Sequence, residues 1–265
     1  MTGETGKRGA IRAISRGIAV LQAVNRAGST TMMDIATQSG VPYPTACRIV
    51  QTLLEDGMIE REPGRKRYRP TALVQTLSVG YQIEDRLVTA ARAHIVALTQ
   101  KVTWPVSVST RVGANMMVRD STHSLTPLTF HVYYPGYTLP MLESSSGKAY
   151  LAFCPGDERA ALLSTFQGSD NAIDGLPMRL ADIPKLLDLI RQNGYATHRR
   201  TRHTENPGKT SSISTPVFAG EHLIGTLTLI FFASAMTMET AIAQFAEALK
   251  ETAKAVSAAL ETRAH

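Results

Sequence analysis

Thr45, Cys47, Arg48, Gln51 and Thr52 share one side of a helical pattern whose other side carries Ala46, Ile49, Val50, Leu53 and Leu54. Small hydroxyls, an amide and a guanidinium are the groups that hydrogen-bond to base edges in a DNA groove. Farther along, Arg65, Lys66 and Arg67 follow Glu62-Pro63-Gly64, a cation cluster suited to backbone phosphates. A different chemistry is offered by Ser144-Ser145-Ser146-Gly147-Lys148. Ser145 and Ser146 fall at the start of an expected helix, where free N–H groups and the helix dipole favour a carboxylate.

The elements around the first set suit that use. Residues 31–38 form a short helical pattern that ends at Ser39-Gly40-Val41-Pro42. Gly40 can take the left-handed cap conformation, and Pro42 or Pro44 can open the next helix. Helix, glycine turn and a second helix with a polar outer face make the helix-turn-helix pattern. The alternative is an ordinary pair of antiparallel helices. Upstream, Ile14, Ile18, Leu21 and Val24 form a third apolar stripe, so three helices can share one core. Downstream, residues 58–61 and 66–69 read as short strands around Pro63-Gly64, a pair that suits a type II turn. Three helices followed by a basic hairpin make a winged helix-turn-helix. The alternative for the cation cluster is a solvated turn. Through Pro70 there are 11 Lys or Arg against 6 Asp or Glu, and beyond it 17 against 16. Nearly all of the net charge of +6 therefore lies in the first quarter of the chain, as expected for a nucleic-acid face.

A length of 265 residues favours two domains. Cys47 and Cys154 are the only cysteines, and without a disulfide framework the chain suits a reducing cytoplasm. The first residues lack the apolar core of a signal peptide. The most apolar run, 223–236, is too short to span a bilayer and reads as a buried strand, so no membrane association is expected. Phosphate-loop, nucleophile-elbow and metal-ligand spacings all fail around Gly147-Lys148, Gly208-Lys209, Ser144-Ser145-Ser146, His198 and His203. The expectation is no catalysis, no metal and no cofactor.

After a connecting helix at 71–82, Leu87, Ala91, Ile95, Leu98 and Val102 mark a longer helix. Strand-like segments follow at 106–112, 115–120 and 128–132, then helices at 144–153 and 184–192. Strands at 211–217 and 223–232 precede a last helix capped by Thr237. Antiparallel strands with helices around them give an α+β class. The expected domains are 12–70, the linker helix 71–82, and 83–260.

Taken in order, several pieces resemble the IclR family of bacterial transcription regulators over residues 12–260. They are Ser15-Arg16-Gly17-Ile18-Ala19-Val20-Leu21, residues 45–53, Leu139-Pro140-Met141, residues 146–152 and Ser212-Ile213-Ser214-Thr215-Pro216-Val217. The resemblance implies a winged helix-turn-helix joined by a helix to a GAF/PAS-like effector-binding and oligomerisation domain. It also implies homodimers or homotetramers and a small organic ligand, often a carboxylate or aromatic; the reading as a regulator adds an operator-DNA partner and contact with RNA polymerase. Trp104-Pro105, Met117-Val118-Arg119, Ala152-Phe153-Cys154-Pro155 and Ala233-Ser234-Ala235-Met236-Thr237 resemble the branch that activates hydroxyphenylpropionate catabolism, which implies an aromatic or arylalkanoic acid. Tyr43-Pro44 departs from the Lys-Ser pair common in the family, which changes the local DNA contacts.

The expected DNA-facing residues are Arg16, Thr31, Tyr43, Thr45, Cys47, Arg48, Gln51, Arg65, Lys66 and Arg67. Matching to the family places the effector among Leu128, Leu139, Ser145, Ser146, Ser212, Thr228 and Ile230. Arg119, His131 and Arg200 are candidate partners for its anionic group. Each has a plainer alternative: Arg119 as a solvated strand residue, His131 as structural, Ser212 as a satisfied core hydroxyl, and Arg48 as an ion-pair partner of Glu55 or Asp56. The rival reading of the whole chain is an enzyme acting on a small aromatic acid, with its first domain used for assembly.

Overall fold

The structure is a computed structural model that describes residues 11–128, 134–166, 172–173, 176–177, 182–200 and 209–262. Two compact units meet in the chain at Ile83 and Glu84.

The first unit contains α1 (Arg12–Ala27), β1 (Thr30–Thr31), α2 (Met32–Ser39), α3 (Tyr43–Glu55), β2 (Ile59–Arg61) and β3 (Arg67–Pro70). Thr31 caps α2, its Oγ1 accepting the Asp34 N–H at 3.3 Å. Gly40 ends α2 at φ +64°, and Pro44 sits in the first turn of α3, both as the sequence implied. The Glu62 carbonyl accepts the Arg65 N–H at 3.2 Å, and Gly64 has φ +69°. That is the type II turn expected of Pro63-Gly64. The strands pair antiparallel in the order β1-β3-β2. Val20, Val24, Ile35, Val41, Ala46, Val50 and Ile59 form the core.

One stripe differs from expectation. Burial on α1 is confined to Val20, Ala23 and Val24, while Ile14 and Ile18 are 57% and 53% exposed, alongside Ile11 at 63%. α1 carries two apolar stripes, and α2 and α3 cover only the one in its second half.

A 3-10 stretch, Ala72–Glu84, follows β3. The second unit then runs α4 (Asp85–Val102), β4 (Val106–Val112), β5 (Asn115–Ser121), β6 (Thr138–Pro140), α5 (Ser145–Phe153), α6 (Gly156–Thr165), β7 (Ala172–Ile173), β8 (Leu176–Pro177), α7 (Ile183–Asn193), β9 (Ala196–His198), β10 (Thr210–Ala219), β11 (His222–Phe232) and α8 (Met238–Thr262). Six strands form one antiparallel sheet in the order β6-β5-β4-β11-β10-β9. The class is α+β, as expected.

Alternation along the strands sends the two faces to different layers. Leu227, Leu229 and Phe231 join Val106, Val108, Ile213 and Val217 under α4 and α8. Trp104 meets Phe231 and Phe232 edge-on, with ring centroids 6.4 and 5.6 Å apart. On the other face, Met116 and Ala196 pack with Ala149, Leu151, Leu187 and Ile190 of α5 and α7. Two glycines permit this layering. A Cβ on Gly147 would lie 2.1 Å from the Met141 carbonyl oxygen, and one on Gly225 would lie 2.7 Å from that of Ser109.

The sequence did not foresee α6, because Ala160, Ala161, Leu162 and Leu163 fall in one run rather than at helical spacing. The strand expected at 128–132 lies almost wholly outside the described residues. Among the described residues, no helix is long and apolar enough to cross a membrane.

Candidate nucleic-acid interface and ligand cleft

Buried Ala46 and Val50 turn the opposite side of α3 outward, so Tyr43, Arg48, Gln51 and Thr52 are exposed and Thr45 and Cys47 half-buried. Gln51 Nε2 donates to Glu55 Oε1 at 2.9 Å, and Thr52 Oγ1 donates to the Arg48 carbonyl at 3.2 Å. Glu55 is thus engaged by Gln51, and among the described residues no ion pair joins Arg48 to Glu55 or Asp56. Its guanidinium is presented to solvent. Arg16 is exposed on α1, and Thr31 combines its capping bond with a 2.7 Å hydrogen bond to Asp34 Oδ2.

The three hairpin cations separate into two kinds. Arg65 and Lys66 are exposed at the tip. Arg67 turns inward, its Nε and Nη2 donating to the Oγ and carbonyl of Ser29, both at 2.8 Å. These bonds tie β3 to the end of α1 and leave the Arg67 guanidinium less open to phosphate than the two tip cations. Arg69 pairs with Glu60 at 2.6 Å, and Arg61 lies over the Tyr68 ring at 5.8 Å. The exposed unpaired charge of the hairpin is therefore concentrated at Arg65 and Lys66.

In the second unit, Ser144 caps α5 by accepting the Gly147 N–H at 3.1 Å. Ser145 and Ser146 occupy the first turn, 1% and 2% exposed. Ser145 Oγ is hydrogen-bonded to Ser212 Oγ and Ser214 Oγ, each at 2.7 Å. Ser214 Oγ in turn meets Thr228 Oγ1 at 2.7 Å. The strand register explains this row of hydroxyls: Ser107 and Ser214 both pair with Thr228, and Ile230 and His198 both pair with Ser212.

One cleft at this helix end is lined by Leu139, Ser145, Ser146, Ser212, Thr228 and Ile230, together with Ser107, Ser109, Glu143, Ser144 and His198. The first six are sequence-expected residues; the other five are not. Ser107 and Ser109 were legible in Val106-Ser107-Val108-Ser109, whose alternation reveals a polar face once its partner strand is known. The cleft has a volume of about 30 Å³, room for one or two waters. A benzoate-sized ligand enters only if the walls separate.

The remaining expected residues lie elsewhere. Leu128 packs against the α4–α8 layer. Arg119 falls at the register shift in β5, between Val118 and Asp120, outside the lining. Arg200 has an exposed side chain, and its backbone N–H donates to Ser211 Oγ at 3.0 Å. His131 lies outside the described residues. Among the described residues, no group of His, Cys, Asp or Glu could hold a metal ion.

The far end of α5 is held as firmly as its start. Arg191 Nε donates to the Ala152 carbonyl at 2.6 Å, and Arg159 donates to that of Cys154 at 3.2 Å. These cations meet the negative end of the helix dipole. Tyr150 donates to Glu158 at 2.8 Å, and Glu158 also pairs with Arg111 at 2.8 Å. Burial pushes the Tyr150 phenol up to about 12, against the opposing effect of Arg111. Burial likewise pushes the Cys154 thiol up to about 11.

Comparison with known proteins places both units. Residues 13–63 match the IclR helix-turn-helix domain, and residues 81–258 match the family described as bacterial transcriptional regulator IclR C-terminal. The chain is 25% identical over 151 residues to "Probable transcriptional regulator SauR" of Cupriavidus necator, covering 57% of this chain. It is 23% identical over 176 residues to "HTH-type transcriptional regulator TsaQ1/TsaQ2" of Comamonas testosteroni, covering 66% of this chain. It spans 60% and 59% of the lengths of these two relatives. Among solved structures, Thermotoga maritima IclR superposes with a TM-score of 0.68 at 20% identity, over 95% of this chain and 100% of that one. An IclR homolog from Microbacterium hydrocarbonoxydans, complexed with 4-hydroxybenzoate, gives a TM-score of 0.68 at 21% identity, over 96% and 100%. At these identities the structural likeness establishes the fold. With its helix-turn-helix and C-terminal regions both matched, the chain belongs to the IclR family of bacterial transcriptional regulators.

Proposed function

We propose that the protein is a ligand-responsive regulator of a catabolic operon, working as a homodimer or homotetramer and sensing a carboxylic acid at the head of α5. The carrying observation is the buried first turn of that helix, with Ser145 bonded to Ser212 and Ser214 inside a cleft. A helix N-terminus surrounded by hydroxyls holds a carboxylate by charge-assisted hydrogen bonds. Aromatic and arylalkanoic acids are the proposed class. The 4-hydroxybenzoate bound by the Microbacterium relative supports it, as does the sequence resemblance at Trp104-Pro105 and Met117-Val118-Arg119. The ring would lie against Leu139 and Ile230, the two apolar lining residues, after the cleft widens. Oligomerisation is supported by the exposed stripe of Ile11, Ile14 and Ile18 on α1, since clustered apolar surface marks association sites.

The test is a thermal-shift screen of the full chain against carboxylic acids and their amides. A ligand that binds only the native state raises the apparent melting temperature. An acid should bind better than its amide by roughly 1.5–3 kcal/mol, the contribution of one charge-assisted bond. Equal shifts from acid and amide would remove the carboxylate from the account.

A further inference from the structure

We propose that a groove between β10 and α8 is a second small-molecule site, one for a flat aromatic ligand that carries a single negative charge. It stands independently of acid sensing at the head of α5. The groove has a volume of about 480 Å³, within the roughly 300–1,000 Å³ span of small-molecule pockets. The cleft at α5 measures about 30 Å³, and the two share no lining residue.

The groove exists because β9 is short. β9 pairs only with Ser212, Ile213 and Ser214, so among the described residues the later part of β10 is a sheet edge beside the last turns of α8. That edge is already closed to another strand. Pro216 has no N–H to offer, and the Phe218 N–H donates to Ser257 Oγ at 3.0 Å. An edge blunted in this way does not add a strand, so the space beside it suits a compact ligand. The walls set the chemistry. Phe153, Pro216 and Phe218 supply apolar surface, with the two rings edge-to-face at 6.2 Å, an arrangement that a third ring can join. Lys250 and Lys254 stand one turn apart on α8 and both line the groove. Lys250 is committed elsewhere: its Nζ pairs with Glu247 at 2.7 Å. Its stem lies against Gly194, where a Cβ would come within 3.3 Å of Lys250 Cδ. Lys254 is exposed, and among the described residues no ion pair engages it. Glu261, the acid of the lining, is seven residues farther along α8, about 10 Å along the helix axis and too far to pair with Lys254. An apolar wall beside an available cation is complementary to a ring that bears one carboxylate.

The experiment is calorimetry on the full chain with 2-naphthoate and its neutral counterpart, 2-naphthamide. Naphthoate should bind more tightly than naphthamide. Lys254→Gln should weaken naphthoate about fivefold, the upper span of an exposed ion pair, and leave naphthamide unchanged. Ala258→Phe, at an exposed lining position, should fill the groove and lower both affinities by at least about tenfold. Urea unfolding followed by Trp104 fluorescence shows that each variant keeps its second unit folded. No binding of naphthoate overturns the proposal. So does a naphthoate affinity left unchanged by either substitution, which would place the ligand elsewhere, the cleft at α5 included. An equal loss of naphthoate and naphthamide with Lys254→Gln overturns the ligand class. A change of oligomeric mass with Ala258→Phe, read by light scattering, would make the groove an interface between copies of the chain and overturn it as a ligand site.

Discussion

Gly147→Ala should destabilise the second unit by roughly 3 kcal/mol or more, because the new methyl would have to occupy backbone rather than yielding side chain. Its Cβ would lie 2.1 Å from the Met141 carbonyl oxygen, 2.4 Å from Met141 Cα and 2.6 Å from the Met141 carbonyl carbon. No rotamer change relieves such a contact. Either α5 lifts from the Met141 segment, or that segment moves and takes Leu142 and the capping Ser144 with it. In both cases the hydroxyls around Ser145 separate. Trp104, the only tryptophan, is buried in this unit, so urea unfolding followed by its fluorescence reports the loss directly. Gly17→Ala is the matched control. Gly17 lies within α1, and a Cβ there meets nothing within 4 Å. Alanine at that position should be neutral or stabilising by up to about 1 kcal/mol. A Trp104 transition for Gly147→Ala within about 0.5 kcal/mol of the unmodified protein would refute the packing account, since that is the range of an inconsequential surface change.

The second large effect is on DNA. Arg48 is exposed on α3, and Glu55, one of its two candidate ion-pair partners, already accepts from Gln51. Arg48→Ala should cost roughly 1–3 kcal/mol on the specific operator and relax selectivity at one position. Lys66→Ala at the hairpin tip should weaken specific and random DNA alike and reduce the salt slope by about 1. Titrations of both variants against operator and scrambled duplexes separate the two roles. Equal losses of Arg48→Ala on the two duplexes would end the base-reading assignment.

Local chemistry made much of this legible in the sequence. Gly40, Pro44 and Pro63-Gly64 each demand a particular backbone conformation, so the turns of the first unit could be read one residue at a time. The α1 stripe was harder: Ile14 and Ile18 are as apolar as Val20 and Val24, and only the position of α2 and α3 decides which pair is buried. In the second unit, the family resemblance pointed to Thr228, Ile230, Ser145 and Ser146, and strand alternation and the helix start agreed with it. Ser107 and Ser109 depend instead on β4 lying beside β11, a pairing between residues far apart in the chain. Arg67 shows the same limit: its partner Ser29 is 38 residues away, so the charge looked available for phosphate until the sheet was formed.

The central claim is that an acid bound at α5 controls the affinity of the winged domains for DNA. It is tested most directly by fluorescence anisotropy of labelled operator with the full chain, at fixed salt, with and without a saturating acid identified in the thermal screen. The account predicts that the acid shifts operator affinity by about 5- to 150-fold, the usual span of coupling between two sites. The matching amide should leave it unchanged, and Ser145→Ala should diminish the shift. A bound acid that leaves operator affinity unchanged in every arm would contradict the account.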